Sequence, residues 1–182
     1  MPYRHGDLSF RRHLGPGSHS STRRRQSSGE EVLTFRSATL SDLPHIVTLL
    51  ADDELGATRE NVSITVQQAY LLAFRAIEDD PNQLLLVCLA DATIVGCLQL
   101  SFIPGLSHLG AWRCQIESVR IAPASRGRGM GRGMMLHAIE LAHRRGCRIV
   151  QLSTDKRRRE AHRFYVDLGF VASHEGMRLF LS

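Results

Sequence analysis

The chain has 182 residues, 43% of them hydrophobic, with 23 lysines and arginines against 18 aspartates and glutamates. That size suits one domain with a substantial core. No apolar run is long enough to span a bilayer and no apolar signal segment opens the chain, so a cytoplasmic protein without a membrane partner is expected.

The formal charge of +5 is unevenly placed. Residues 1–29 hold six arginines (Arg4, Arg11, Arg12, Arg23, Arg24, Arg25) and one acid, Asp7, which leaves 17 basic and 17 acidic residues in 30–182. The basic pI thus belongs to the leader, and nucleic acid is not expected as a partner of the domain. Rich in Arg, Ser, Gly and His, the leader buries too little apolar surface to offset its ordering entropy, and 1–29 reads as a disordered tail ahead of a domain over 30–182. Cys88, Cys97, Cys114 and Cys147 form no C-x-x-C pair and meet no histidine at zinc-ligand spacing. They read as reduced, mostly buried thiols, with no metal site.

In chain order, 32–38 reads as a strand. Ser41-Asp42-Leu43-Pro44 opens a helix, with a capping hydroxyl at Ser41 and proline in the first turn; Ile46, Val47, Leu49 and Leu50 follow at helical spacing. Residues 52–63 are a polar loop. A second helix spans 65–78, with Ala69, Leu72, Ala73 and Ala76 along one side, and ends at Asp79-Asp80-Pro81-Asn82. Strands at 83–90 and 93–102 are joined by a tight turn at Asp91-Ala92. A Gly/Pro-containing loop covers 103–111, a strand 112–121, a helix 129–145 and a strand 148–153. A helix over 157–168 stops at Gly169, and two short strands, 170–173 and 177–181, close the chain. The order β-α-α-β-β-β-α-β-α-β-β predicts an α/β fold: a mixed, mostly antiparallel sheet with flanking helices.

The most informative stretch is Ile121-Ala122-Pro123-Ala124-Ser125-Arg126-Gly127-Arg128-Gly129-Met130-Gly131-Arg132-Gly133, between a strand and a helix. Glycine inside a helix costs about 1 kcal/mol relative to alanine, and Gly131 and Gly133 both fall in the first turns. Close approach of a ligand to the backbone is one reason to accept that cost. A helix start offers unpaired N–H groups and partial positive charge, which suits an anion; Arg126, Arg128 and Arg132 add cationic charge. Neither common phosphate loop fits. The Walker pattern needs Lys and then Ser or Thr after Gly131, where Arg132-Gly133 stand, and the dinucleotide pattern needs glycine at 132.

Arg126-x-x-Gly129-x-Gly131 resembles the signature of the GNAT N-acetyltransferases: Arg or Gln, two residues, Gly, one residue, then Gly or Ala. Phe164-Tyr165-x-x-x-Gly169-Phe170 is similar to the family's second signature, and the order of elements from Val32 to Ser182 fits as well. The resemblance implies acetyl-CoA as donor, a primary amine of a small molecule or protein as acceptor, and a sheet whose parallel pair splays apart around the cofactor. It places Val119, Arg120 and Ile121 beside the pantetheine arm. The amides of Gly127, Arg128, Gly129, Met130, Gly131 and Arg132, with Arg126 before them, then surround the diphosphate. Many relatives carry asparagine after the second strand of the pair; Thr154-Asp155 stands here.

Acetyl transfer to an amine needs a base. A lysine-like amine is neutral to less than about 0.1% at pH 7, and only the neutral form attacks a thioester. The acyl oxygen needs a donor, most simply a strand N–H such as that of Val119, and the departing thiolate needs a proton. Glu117, the one acid on its strand, is the candidate base; a structural or substrate-orienting role is equally open. Strict alternation puts Arg113, Gln115, Glu117 and Val119 on one face and Cys114, Ile116 and Ser118 on the other, unless a bulge intervenes. Tyr165 is the candidate acid, with an aromatic core role as the alternative. His162 and His174 are near enough in sequence to touch a site, but reading them as bland polar residues explains them as well. His137 and His143 are expected on a solvated helix face, and Lys156-Arg157-Arg158-Arg159 as a solvated helix start or a contact for the cofactor's 3′-phosphate. The competing class is a non-catalytic acyl-CoA sensor, distinguished by cofactor binding without turnover. A homodimer paired through the terminal strands completes the expectations.

Overall fold

The structure, a computed structural model, describes residues 32–52 and 68–181. The leader and most of the polar loop at 52–63 lie outside the described residues. Five strands, β1 (Leu33–Ser37), β2 (Gln83–Ala90), β3 (Thr93–Ile103), β4 (Trp112–Ile121) and β5 (Cys147–Leu152), form one sheet in the order 1-2-3-4-5. The first three pairings are antiparallel and β4–β5 is parallel. Four helices flank it: α1 (Leu43–Ala51), α2 (Gln68–Asp79), α3 (Met130–Arg144) and α4 (Arg159–Asp167). Residues Ser107–Gly110 make a single turn in which His108 and Leu109 are left-handed.

Helices on both faces explain why β2 and β3 read as nearly continuous apolar runs. On one face Leu86, Cys88, Leu98, Leu100, Cys114 and Ile116 pack against Met130, Met134, Met135, Ala138 and Ala142 of α3. On the other, Val87 and Cys97 meet Ile46 and Leu49 of α1, while Leu43, Val47 and Phe74 join α1 to α2. Cys88, Cys97 and Cys114 are fully buried, and burial pushes each thiol up to about 12. They are packing groups, not nucleophiles.

Four local expectations are corrected. The N-terminal cap of α1 is not Ser41. After a 3₁₀ turn at Leu40–Asp42, the Asp42 carboxylate accepts from Thr39 N–H (2.7 Å) and from both terminal nitrogens of Arg36 (2.6 and 3.0 Å). Carboxylates lead over hydroxyls where a cation can share the load. The apolar side of α2 is also different: Phe74 is buried and Tyr70, Leu71 and Ile77 are half-buried, whereas Ala69, Leu72, Ala73 and Ala76 face solvent. Both stripes have helical period, and the one carrying more apolar area goes inward. His137 is not solvated; it stacks on Phe35 at 4.4 Å, and burial lowers its pKa. Finally, 170–173 and 177–181 form no strands. Val171, Met177, Leu179, Phe180 and Leu181 are each at least 81% exposed. Strand propensity is realised only against a ladder partner, and this segment has none among the described residues.

Candidate active site

The site begins where β4 loses a neighbour. The parallel ladder runs from Trp112↔Cys147 to Ile116↔Leu152 and stops, while β4 continues to Ile121. From Glu117 onward one edge of β4 is open, and its backbone groups face a cleft of about 320 Å³. Glu117, Ser118, Val119 and Arg120 line one wall. Leu152, Ser153, Thr154 and Asp155 line the other, and Arg158 and Tyr165 of the α4 region close it.

A bulge sets what each β4 residue does. On β3, Gln99 pairs with Glu117 and Cys97 with Arg120, so Leu98 alone faces both Ser118 and Val119. Ser118 takes φ 54, the left-handed region that non-glycine residues rarely occupy. The extra residue breaks strict alternation. Val119 and Ile121 pack against the same cluster as Cys114 and Ile116, and Val119 does not share a face with Glu117. At the end of the ladder β3 carries Gly96, paired with Ile121, where a Cβ would stand 2.6 Å from Ile121 Cδ1 and 2.8 Å from the Arg120 carbonyl. Only glycine lets β4 approach there.

Beyond β4, a 3₁₀ turn at Pro123–Ser125 leads to the loop. Gly127 (φ 72) and Gly129 (φ 80) are left-handed, and Gly129 caps α3. Gly133 N–H makes the opening helical bond, to the Gly129 carbonyl at 3.0 Å. The amides ahead of it therefore point out of the helix end, where the dipole favours an anion. At Gly131 a Cβ would meet Ile121 and Phe164 at 3.5 and 3.6 Å, which is ordinary contact. Protein packing does not demand glycine there. Arg126 is placed differently from its neighbours. It donates to the Ile121 carbonyl (3.0 Å) and to Asp52 (2.6 Å), tying the loop to the end of α1. Arg128 and Arg132 are exposed beside the helix start.

Tyr165 is half-buried, edge-on to Phe164 (5.3 Å) and Phe170 (6.0 Å). Burial raises its pKa, and Arg158 and Arg120 pull it partly back. The phenol stays protonated at neutral pH, a donor aimed into the cleft. Glu117 is exposed there. The structure thus brings Glu117, Val119, Arg120 and Tyr165 to one cleft and sets the glycine loop beyond the end of β4. His162 is half-buried on α4 and His174 bonds Ser173 (2.8 Å); neither lines the cleft.

The basic run at 156–159 divides. Asp155 binds Arg157 in a fork of two 2.9 Å bonds, Lys156 pairs with Glu175 at 3.3 Å, and Arg158 lines the cleft. A solvated start describes Arg157 but not Arg158. The signal was the spacing of Arg158 and Tyr165, two helical turns apart on one face. Arg178, which also lines the cleft, gave no signal in the sequence.

Residues 47–170 match the model of the acetyltransferase (GNAT) family. The chain belongs to the GNAT family. This GNAT protein is an acyltransferase. It is 30% identical over 154 residues to an aminoalkylphosphonate N-acetyltransferase of Salmonella typhimurium, covering 83% of this chain and 93% of that one. Over 86 residues it is 33% identical to a glucosamine 6-phosphate N-acetyltransferase of Trypanosoma brucei brucei, covering 47% of this chain and 56% of that protein. A crystal structure described as a transcriptional regulator from Bacillus halodurans is similar at 46% identity and TM-score 0.80, covering 82% of this chain and 99% of that one.

Proposed function

We propose that this GNAT protein transfers the acetyl group of acetyl-CoA to a primary amine. The observation that carries this reading is the release of β4 from β5 after Ile116↔Leu152, which leaves an open strand edge between Glu117 and the helix start at Gly129. The chain's own groups fit the cofactor. The amides of residues 127–132 suit a diphosphate, with Arg128 and Arg132 beside them, and the edge at Val119, Arg120 and Ile121 suits the amide-bearing pantetheine arm. Bound there, acetyl-CoA supplies an acetyl thioester.

Glu117 takes the proton from the incoming ammonium, directly or through water, because the cationic form cannot attack. Val119 N–H, on the open edge, donates to the acyl oxygen as charge gathers there. As the C–S bond broke, Tyr165 would give its phenolic proton to the departing sulfur, and the second proton lost by the acylated nitrogen would restore the phenol through water. The two curated relatives are both named for acetylating an amino nitrogen, which supports an amine acceptor here.

Calorimetry with coenzyme A and a thiol-release assay over a panel of amines test the proposal. Saturable cofactor binding with amine-dependent thiol release is expected. No heat with coenzyme A removes the donor site; binding without release for any amine removes the transferase role.

A further inference from the structure

The outer edge of the sheet and the C-terminal segment each lack what the other supplies. β5 ends the sheet, so its far edge has no strand beside it among the described residues. Such an edge presents a row of unpaired N–H and C=O groups. Residues 177–181, Met-Arg-Leu-Phe-Leu, have the composition of a strand but no ladder. Met177, Leu179, Phe180 and Leu181 are 86–94% exposed. Apolar residues exposed singly need no explanation, but a contiguous run of them does.

Edge and segment match in length and pattern. β5 has six residues, one more than 177–181. Along β5, Val150 and Leu152 pack on the core, while Ile149 and Gln151 are exposed. Along the segment, alternation puts Met177, Leu179 and Leu181 on one face and Arg178 and Phe180 on the other. An added strand would extend the core side of β5 with three aliphatic side chains and set Phe180 on the side of Ile149. β1 is the sheet's other edge, but Arg178 lines the cleft with Leu152 and Ser153, which brings the segment to the β5 side.

Area argues for a second copy as the partner. With Val171, the exposed apolar residues of the segment offer roughly 800 Å², the share that one protein contributes to a standard interface. A second copy brings the same segment and the same edge, so a two-fold pair satisfies both at once and leaves neither open. We propose that two copies of this chain form a two-fold dimer, in which residues 177–181 of each protomer add a strand to the free edge of β5 in its partner. This assembly goes beyond acetyl transfer and does not depend on it.

Sedimentation velocity on the full chain, from about 1 to about 100 µM, tests it. A species of twice the 20.3 kDa of one chain is expected. Truncation before Met177 should give a monomer with an unchanged far-UV circular dichroism spectrum, because 177–181 adds no ladder and no buried side chain to a single chain. Leu179→Pro and Phe180→Pro distinguish a ladder from loose apolar association. Successive N–H groups of a strand point to opposite sides, so one of the two lies in the ladder. That variant should raise the dimer dissociation constant about tenfold or more, and the other about threefold or less. Should the truncated chain not fold, the proline pair decides alone. A monomer throughout, a larger assembly, a dimer that survives truncation, or equal effects of the two prolines overturns the proposal. A monomer whose 177–181 amides resist hydrogen exchange would put the segment on its own β5 instead.

Discussion

The two halves of β4 share a strand and almost nothing else. Arg113–Ile116 is paired on both edges, and its inward residues Cys114 and Ile116 are at most 1% exposed. Past Ile116 one edge opens, Ser118 turns left-handed and every residue is at least partly accessible. The closed half fixes the sheet; the open half exposes backbone donors that the ladder would otherwise consume. Stability and chemistry are thus separated by one residue, from Ile116 to Glu117.

The sharpest way to break that comparison is to mutate on either side of the junction. Ile116→Ala leaves a cavity under α3 and should cost about 3–4 kcal/mol, read as a lower denaturant midpoint with unchanged slope. Glu117→Gln should leave the midpoint within about 0.5 kcal/mol, since the side chain is exposed. It should lower kcat about 100-fold or more. A large stability loss in Glu117→Gln would mean that the junction is not where folding and function part.

Asp42 tests the closed side from a second direction. Arg36, then the Thr39 backbone and hydroxyl, hold its carboxyl at about 2 against an ordinary 3.8, although burial works the other way. Its folded value is depressed, so its contribution is complete above the ordinary value and fades as pH falls through about 2. Asp42→Asn should therefore cost on the order of 2 kcal/mol at neutral pH. The gap between wild type and variant should narrow in urea melts taken from about pH 5 downward. A gap independent of pH would show that the carboxylate charge is not what secures the entry to α1.

Tyr165→Phe is a smaller probe of the open side. Losing one proton donor should lower kcat roughly tenfold while leaving coenzyme A affinity within about twofold, because the ring keeps its contacts with Phe164 and Phe170. Unchanged kcat would return Tyr165 to a packing role.

Much of this was legible in the sequence. β2 and β4 have the predicted bounds, because β-rich apolar runs ended at unmistakable turns. The loop from Arg126 and the Phe164-Tyr165 pair were found by their spacing. What escaped depends on tertiary partners. The bulge at Ser118 is a matter of register against β3, where Leu98 alone faces Ser118 and Val119. The buried side of α2 is chosen by contact with Leu43 and Val47, not by its own period. The bond from Arg126 to Asp52, 74 residues away, could not be read from the signature in which Arg126 sits. Arg178 lines the cleft from a segment that has no ladder partner among the described residues. Had 177–181 joined β5, its place would be a ladder.

The glycines of the loop sharpen the comparison most finely, since two of them look alike in sequence and differ in cause. Gly129 is left-handed with open space around it, so Gly129→Ala should cost about 1–2 kcal/mol through backbone strain alone. Gly131 lies inside α3 with ordinary room for a methyl group. Gly131→Ala should therefore leave stability unchanged or raise it by up to about 1 kcal/mol. Coenzyme A affinity should stay within about twofold, because the added methyl group meets Ile121 and Phe164 rather than the open helix end. If both variants lost stability equally, backbone strain at Gly129 would not be what sets the two glycines apart.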